Sequence, residues 1–250
     1  NKLTSDITWT MPIIFQLDNK AILSIPSSGD VALIRQKDRT AFAILKNIKI
    51  EKLKNKHKLA KLWFGTDDIS HPGVKKFISS GEYIVSGSPF LLSNYFNKSK
   101  NEYELTPKQS RDIFDHNGWH KVIGFHTRNI IHRGHEHIQM EALIKYNADA
   151  ILISPVTGAK KKGDFKSEII LSCYNEIINN NIYSPFGALL SSFNTYSRFS
   201  GPREAVFTAL CRKNYGSSHF IVGRDHTGVS NYYNKTESQE IFDKIDTGMV

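Results

Sequence analysis

KVIGFHTRNIIHRGHEHIQMEALIKYNADAILISP, residues 121–155, carries the pattern on which the fold turns. KVIGF (121–125) is a short apolar run and reads as a buried strand. HEHIQMEALIKYN (135–147) puts Ile138, Ala142 and Leu143 on one helical face, so the spacing predicts a helix that opens between His132 and His135. ADAILISP (148–155) is a second apolar run and a second strand. The loop between the first strand and the helix is chemically crowded. GFHTRNIIHRGHEHIQ (124–139) holds four histidines, two arginines and an asparagine within sixteen residues.

The alternation continues downstream. SEIILSCYNEIINN (167–180) and GPREAVFTALCRKNYG (201–216) read as helices, the latter ending at Gly216, and SSHFIVGR (217–224) reads as a third strand. Strands alternating with helices over short links predict a parallel α/β sheet. Upstream, LTPKQSRDIFDHNGW opens a helix, with Thr106 as N-cap and Pro107 at the first helical position. Before it the character differs. WTMPIIF, GDVALIR, AFAILK and GEYIVSG are short apolar runs separated by turn residues, the mark of a compact β domain. One helix is expected around KLKNKHKLAKLWFG, residues 52–65. We place a β domain at 1–107 and an α/β domain at 108–250.

The 250 residues have 40% hydrophobic and 23% charged side chains, an ordinary globular balance. No apolar run approaches the ~20 residues that span a bilayer, and the first residues lack a signal-peptide layout. The only cysteines are Cys173 and Cys211, which fits a reducing cytoplasm better than a disulfide framework. The formal charge of +9 admits nucleic acid, an anionic surface or small polyanions as partners. An RNA-binding role lacks support, because the basic residues carry no RNP-type or repeated aromatic pattern. Neither nucleic acid nor membrane is expected as a partner. Lysine-rich stretches such as 49–58 and 160–166 read as solvated surface, and SPVTGAKKKGDF (154–165) as a mobile loop.

A loop that leaves a parallel strand and enters a helix lies where open α/β sheets bind ligands. The helix start adds free N–H groups and the positive dipole end, which favour phosphate. His132-Arg133-Gly134-His135 has the pattern H-x-G-H, with a glycine that permits close backbone approach and two imidazoles on one helix face. His-x-x-His alone is a weak metal signal, and no metal site is assigned. A second cluster, Arg224, Asp225 and His226 flanked by Gly223 and Gly228, ends the strand SSHFIVGR. Arg and His on two strand ends facing one crevice could hold a triphosphate from both sides. Arg203 and Glu204 fit either a helix-face ion pair or a ligand role.

Several blocks in order resemble the ATP sulfurylase (sulfate adenylyltransferase) family. They are WTMPIIFQL (9–17), GTDDISHPGV (65–74), FHTRNIIHRGHE (125–136), GPREA (201–205), RKNYG (212–216) and GRDHTG (223–228). The resemblance covers almost the whole length. It implies a PUA-like N-terminal β domain and a Rossmann-like nucleotidylyltransferase domain of the H-x-G-H kind. It also implies a reaction in which sulfate attacks the α-phosphorus of MgATP in line, giving adenosine 5′-phosphosulfate and pyrophosphate. Sulfate is fully ionised and needs no base, so catalysis would rest on positioning and charge stabilisation. By the same resemblance Arg128 holds sulfate and the α-phosphate, and Thr127 and Asn129 contact phosphates. His132 and His135 stabilise charge on the α- and β-phosphates. Gly223, Arg224, Asp225 and His226 bind the nucleotide beside His126, Thr127, Arg128 and Asn129. Sulfate lies near His126, Arg128 and the Thr227 backbone. Mg²⁺ rides on the triphosphate.

Three positions depart from the family pattern. His126 stands for a glutamine, which introduces a group that titrates near neutrality. Ile130 stands for a proline and removes a fixed φ. Thr227 stands for an alanine and adds a hydroxyl beside the sulfate position. An acceptor oxyanion other than sulfate is therefore the alternative reading. His137 matches no motif position and is expected at the surface. Family members continue past the equivalent of Val250 into a C-terminal subdomain, so a fragment is expected. A homo-oligomer and a fused or associated adenylylsulfate kinase are expected partners.

Overall fold

The computed structural model describes residues 2–35, 38–92, 102–160, 163–224, 226–229 and 231–250. They form two compact units, one of Met11–Lys100 and one of Asn1–Thr10 with Asn101–Val250.

The Met11–Lys100 unit is an antiparallel sheet with two packed helices. Strands β1 (Phe15–Leu17), β2 (Val31–Ile34), β3 (Ala41–Lys52) and β4 (Tyr83–Leu91) lie in the order β1-β4-β3-β2. A short helix, α1 (Asn19–Ile22), follows β1. The run WTMPIIF, expected as a strand, contributes only Phe15 to one. AFAILK continues far beyond its expected end, because the alternation resumes after a register shift between Lys46 and Lys49. Asn47 takes a left-handed φ of 52° there, and its N–H is held by Asp30. Leu45, Ile48 and Val85 thereby share one core.

Helix α2 (Lys56–Phe64) falls where the sequence predicts it. Helix α3 (Pro72–Ser79) was not anticipated. Its start is capped by a fully buried histidine, His71, whose Nδ1 accepts from the N–H groups of Gly73 and Val74. Ser, Thr, Asp and Asn are the usual caps, so this signal is absent from the ordinary code. Ala60, Phe64, Val74 and Phe77 close the core between the two helices.

The second unit is an α/β layer structure. Helix α4 (Pro107–Asn117) begins at the expected cap, and Thr106 and Gln109 complete a reciprocal capping box. Strands β5 (Val122–Thr127), β6 (Ala150–Pro155), β7 (Gly187–Leu190) and β8 (His219–Phe220) form a parallel sheet in the order β7-β6-β5-β8. Helices α5 (Arg133–Lys145), α6 (Ser167–Asn179) and α7 (Pro202–Asn214) connect them, and α8 (Glu237–Glu240) follows β8. Strand β7 is an addition to the three strands read from sequence. GALL is too short and too weakly bounded to stand out, and it is defined by pairing with β6. SSHFIVGR shrinks to two paired residues.

The strand order matters for function. The chain steps outward from β5 through β6 to β7, then returns to the other side of β5 with β8. The point of reversal therefore lies between β5 and β8, and ligands of open α/β sheets bind beyond the strand ends at such a point. The two motif-bearing loops leave from these two strands.

Alternate residues of β5 face opposite layers. Ile123 and Phe125 pack with Leu143, Ile170 and Tyr174 on the side of α5 and α6. Val122 packs with Phe114, Ala150 and Leu152 on the other. Gly124 lies on that second face. A Cβ there would stand 3.2 Å from Cβ of Arg212 and from the Phe220 ring, and 3.1 Å from Oγ of Ser217. Helix α7 thus rests directly on the β5 backbone, and almost all of it is buried. Among the described residues no helix is long and apolar enough to cross a membrane.

Gly124→Ala should overpack this contact and cost about 1–3 kcal/mol, read as a lower denaturant midpoint. An unchanged midpoint would show that α7 can retreat without loss.

Candidate functional site

Thr127 ends β5 with its side chain buried. Its hydroxyl accepts from the Asn129 N–H at 3.1 Å and lies 3.3 Å from the Asn129 carbonyl, so it folds the loop back on itself. Ile130 and Ile131 press against the core on the α5 side. In place of a proline, apolar burial fixes this loop. It leaves Asn129 exposed and Arg128 partly buried.

The H-x-G-H segment is organised by its first histidine. His132 is the N-cap of α5, outside the helix, and its Nδ1 accepts from the Gly134 N–H at 3.2 Å. Nε2 therefore carries the ring proton. The rings of His132 and His135 stack with centroids 3.8 Å apart. A Cβ on Gly134 would approach the His132 ring at 3.2 Å, so here the glycine makes room for the capping imidazole. His135 packs edge-on against Phe125, and its buried Nδ1 completes no hydrogen bond, although the Ile130 carbonyl nearby favours the protonated ring. Burial and the His132 ring outweigh that carbonyl and lower the His135 pKa. His137 lies outside this pair, exposed, 3.6 Å from Glu141.

Helix α7 supplies a second layer that the sequence reading did not assign. Glu204, Thr208 and Arg212 are spaced by four and form one buried polar stripe among the apolar residues of the helix. Glu204 and Thr208 each hold a loop, and Arg212 holds the end of β5. The Glu204 carboxylate accepts from the N–H groups of Arg198 at 2.8 Å and Ser200 at 3.1 Å. Glu204 is therefore a buried clamp on the loop before α7, and not half of a helix-face ion pair. Burial raises its pKa, against the pull of those N–H donors and the Arg198 charge.

Thr208 Oγ1 lies 2.8 Å from Nε2 of His226 and also within reach of the carbonyls of Glu204 and Ala205. Arg212 Nη2 donates to Nδ1 of His126 at 2.8 Å. The rings of His126 and His226 stand 5.6 Å apart, so the end of β5 meets the loop after β8.

Gly223 and Arg224 are exposed on the β8 side, and Asp225 lies outside the described residues. Thr227 has a left-handed φ of 53°, and its hydroxyl donates to the His226 carbonyl at 2.7 Å. The added hydroxyl is thus engaged with its own backbone. Gly201 at the start of α7 has φ 49° and ψ −120°, and a Cβ there would meet the Tyr233 ring at 2.6 Å, which accounts for the first residue of GPREA.

The lysine-rich loop after β6 also differs from expectation at one point. Lys160 folds back and donates to the Val156 carbonyl at 2.5 Å, partly buried and close enough to Arg128 to feel its charge. Gly158 lets this loop touch the Thr195 backbone. Lys161 and Lys162 lie outside the described residues. The crevice is strongly electropositive. Burial, Arg212, His226, Lys160 and Arg128 together hold the His126 pKa well below its ordinary value. Against the expectation of an ordinary imidazole, these neighbours disfavour the charged form of the His126 ring. Among the described residues no group of three or more His, Cys, Asp or Glu side chains is placed to hold a metal ion.

A sequence model of the ATP-sulfurylase family matches residues 101–249, and a PUA-like domain model matches residues 1–94. The chain belongs to the ATP-sulfurylase family. It is 38% identical over 241 residues to a sulfate adenylyltransferase of Ignicoccus hospitalis, covering 96% of this chain and 61% of that protein. It is 38% identical over 246 residues to a sulfate adenylyltransferase of Pyrococcus abyssi, covering 98% and 62%. A probable bifunctional SAT/APS kinase of Sorangium cellulosum is 37% identical over 247 residues, covering 99% and 42%. The chain thus spans about three fifths of the length of the first two relatives. Among solved structures, a hexameric APS kinase from Thiobacillus denitrificans matches with a TM-score of 0.64 at 16% identity, over 99% of this chain and 42% of that one, a likeness of fold. Within this ATP-sulfurylase fold the motif loops after β5 and β8 lie side by side.

His226 is buried, and its pKa falls to about 4, first through burial and then through the Arg212 charge. The unfolded chain therefore binds the extra proton between the ordinary 6.5 and about 4. Stability from this group is complete above the upper value and is lost as pH falls through that window, by about 1.4 kcal/mol per unit. The urea midpoint should drop between pH 7 and pH 5, and drop less in His226→Asn. Equal pH slopes for the two proteins would remove His226 as the cause.

Proposed function

We propose that this chain carries the adenylyl-transfer site of a sulfate adenylyltransferase. The observation that best supports the reading is the convergence of the two motif loops at the reversal point of the parallel sheet. There His126, Arg128, His132, His135 and Lys160 gather cations and N–H donors on one side, and His226 faces them on the other. Such a donor-rich crevice suits two polyanions brought together, a nucleoside triphosphate and an oxyanion.

A sulfate oxygen attacks the α-phosphorus in line, the bond to the β-phosphate oxygen breaks, and pyrophosphate leaves. Sulfate has no proton to lose, so the residues bind, orient and stabilise charge. Arg128 lies between the two substrates and holds both. His132, with its proton on Nε2, and His135 donate toward oxygens that gain charge as pyrophosphate departs. Thr127 and Asn129 keep the loop folded and reach phosphate. Gly223 to His226 take the nucleotide, and the Thr227 backbone adjoins the oxyanion. The nucleotide enters as MgATP, its metal ion part of the substrate.

In this reading the PUA-like β domain is 1–107 and the catalytic domain 108–250. The curated names of the relatives, with the bifunctional SAT/APS kinase among them, support sulfate as acceptor and a downstream adenylylsulfate kinase as partner. A homo-oligomer in the cytoplasm completes the proposal.

Pyrophosphate release from MgATP should depend on sulfate. Release with molybdate, phosphate or another oxyanion but not with sulfate would overturn the choice of acceptor. Arg128→Ala and His135→Ala should each lower the rate on the order of 10²-fold, as for loss of an oxyanion donor. A loss below about threefold would take either residue out of the catalytic set.

A further inference from the structure

Arg212 is an arginine without surface exposure, on a helix pressed against the central strand. Its guanidinium lies over the Phe193 ring at 4.2 Å and near the Tyr215 ring at 5.8 Å. No ion pair among the described residues includes it. A buried charge normally has a carboxylate partner. Here the hydrogen-bond partner is the neutral imidazole of His126, reached by Nη2 at 2.8 Å, while Nε and Nη1 find none among the described residues. A buried cation kept against one ring nitrogen has a chemical consequence for that ring.

A guanidinium can only donate. Nδ1 of His126 must therefore accept, and the single ring proton must sit on Nε2. A doubly protonated ring would set N–H against N–H and cation against cation. The other charged and titratable groups facing His126 reinforce this. They are Arg128 from the loop after β5, Lys160 from the loop after β6 and His226 from the loop after β8, each cationic or a ring that would become so. Nε2, across the ring from Arg212, has no protein partner among the described residues.

We propose that Arg212 is a positioning residue, whose buried guanidinium locks His126 as the Nε2–H tautomer and makes it a fixed hydrogen-bond donor to the bound oxyanion. The lock itself rests on geometry alone, whereas its use on an oxyanion rests on the proposed function. A glutamine amide at this position could turn to offer either a donor or an acceptor. The locked imidazole offers only a donor, which suits an acceptor substrate carrying no proton of its own.

The test combines spectroscopy and kinetics on the 250-residue chain. Long-range proton–nitrogen NMR of histidine-labelled wild type, Arg212→Met and Arg212→Lys reads the tautomer, with His126→Asn to assign the signal. Wild type should show His126 as Nε2–H alone, with no protonation near pH 6.5. Arg212→Met should show mixed tautomers, and Arg212→Lys, which keeps a donor, should restore the single one. In the pyrophosphate assay, Arg212→Met should raise the sulfate KM about tenfold and change kcat less than about threefold, with Arg212→Lys recovering most of the KM.

A wild-type His126 that carries its proton on Nδ1, or charges near pH 6.5, overturns the lock without any variant having to fold. An unmixed Nε2–H signal in Arg212→Met does the same. A wild type that binds and uses no sulfate overturns the oxyanion role together with the functional reading, but the tautomer in Arg212→Met still decides the lock.

Discussion

The bare backbone at Gly124 sets the distance between α7 and the central strand, and the candidate site is built on that distance. With no side chain in the way, Cβ of Arg212 would lie 3.2 Å from the missing Cβ. Two residues further along the same face of β5 stands His126, and the arginine reaches it at 2.8 Å. A larger residue at 124 would lift α7 and withdraw three polar side chains from two loops and the end of β5 at once. Close packing transmits such a shift because the interior has few voids to absorb it.

Helix α7 therefore does more than cover a sheet. Its apolar residues pay no special attention to the crevice and simply fill the core, while Glu204, Thr208 and Arg212 run as one polar line toward the strand ends. Glu204 ties down the approach to the helix, Thr208 holds His226, and Arg212 holds His126. A fully buried line of this kind is costly unless each group is matched. Backbone N–H groups satisfy the carboxylate, whereas an imidazole accepts from only one nitrogen of the guanidinium, and Nε and Nη1 have no partner among the described residues. These contacts orient the strand end and the loops, and burial, with the Arg212 charge, lowers the pKa of both imidazoles.

The loop after β5 works by a complementary device. Thr127 and His132 spend their side chains on backbone N–H groups, one to fold the loop and one to cap α5. Capping fixes which nitrogen of His132 bears the proton, so the helix start and the chemistry are the same contact. Stacking at 3.8 Å then places His135 directly against its neighbour. Ile130 and Ile131 give the loop an apolar footing, a different route to rigidity from a proline.

Local order was legible in the sequence wherever one residue type has one physical meaning. Thr106 and Pro107 announced α4, the apolar runs at 121–125 and 148–155 announced β5 and β6, and the histidine–arginine crowding marked the loop between them. Strand β7 and helix α3 escaped, since one is defined by its partner strand and the other begins at a histidine cap. The four-residue spacing of Glu204, Thr208 and Arg212 was visible, but a polar stripe reads as a solvated face until that face of the helix is known to be buried. Residue identity and local pattern establish which side chains the chain has for holding polyanions and on which elements they sit. Packing in three dimensions brings β8 back beside β5, sets α7 against the strand at Gly124, and turns His126 toward an arginine. Those outcomes depend on contacts between residues some 86 positions apart, and no local pattern encodes such a distance.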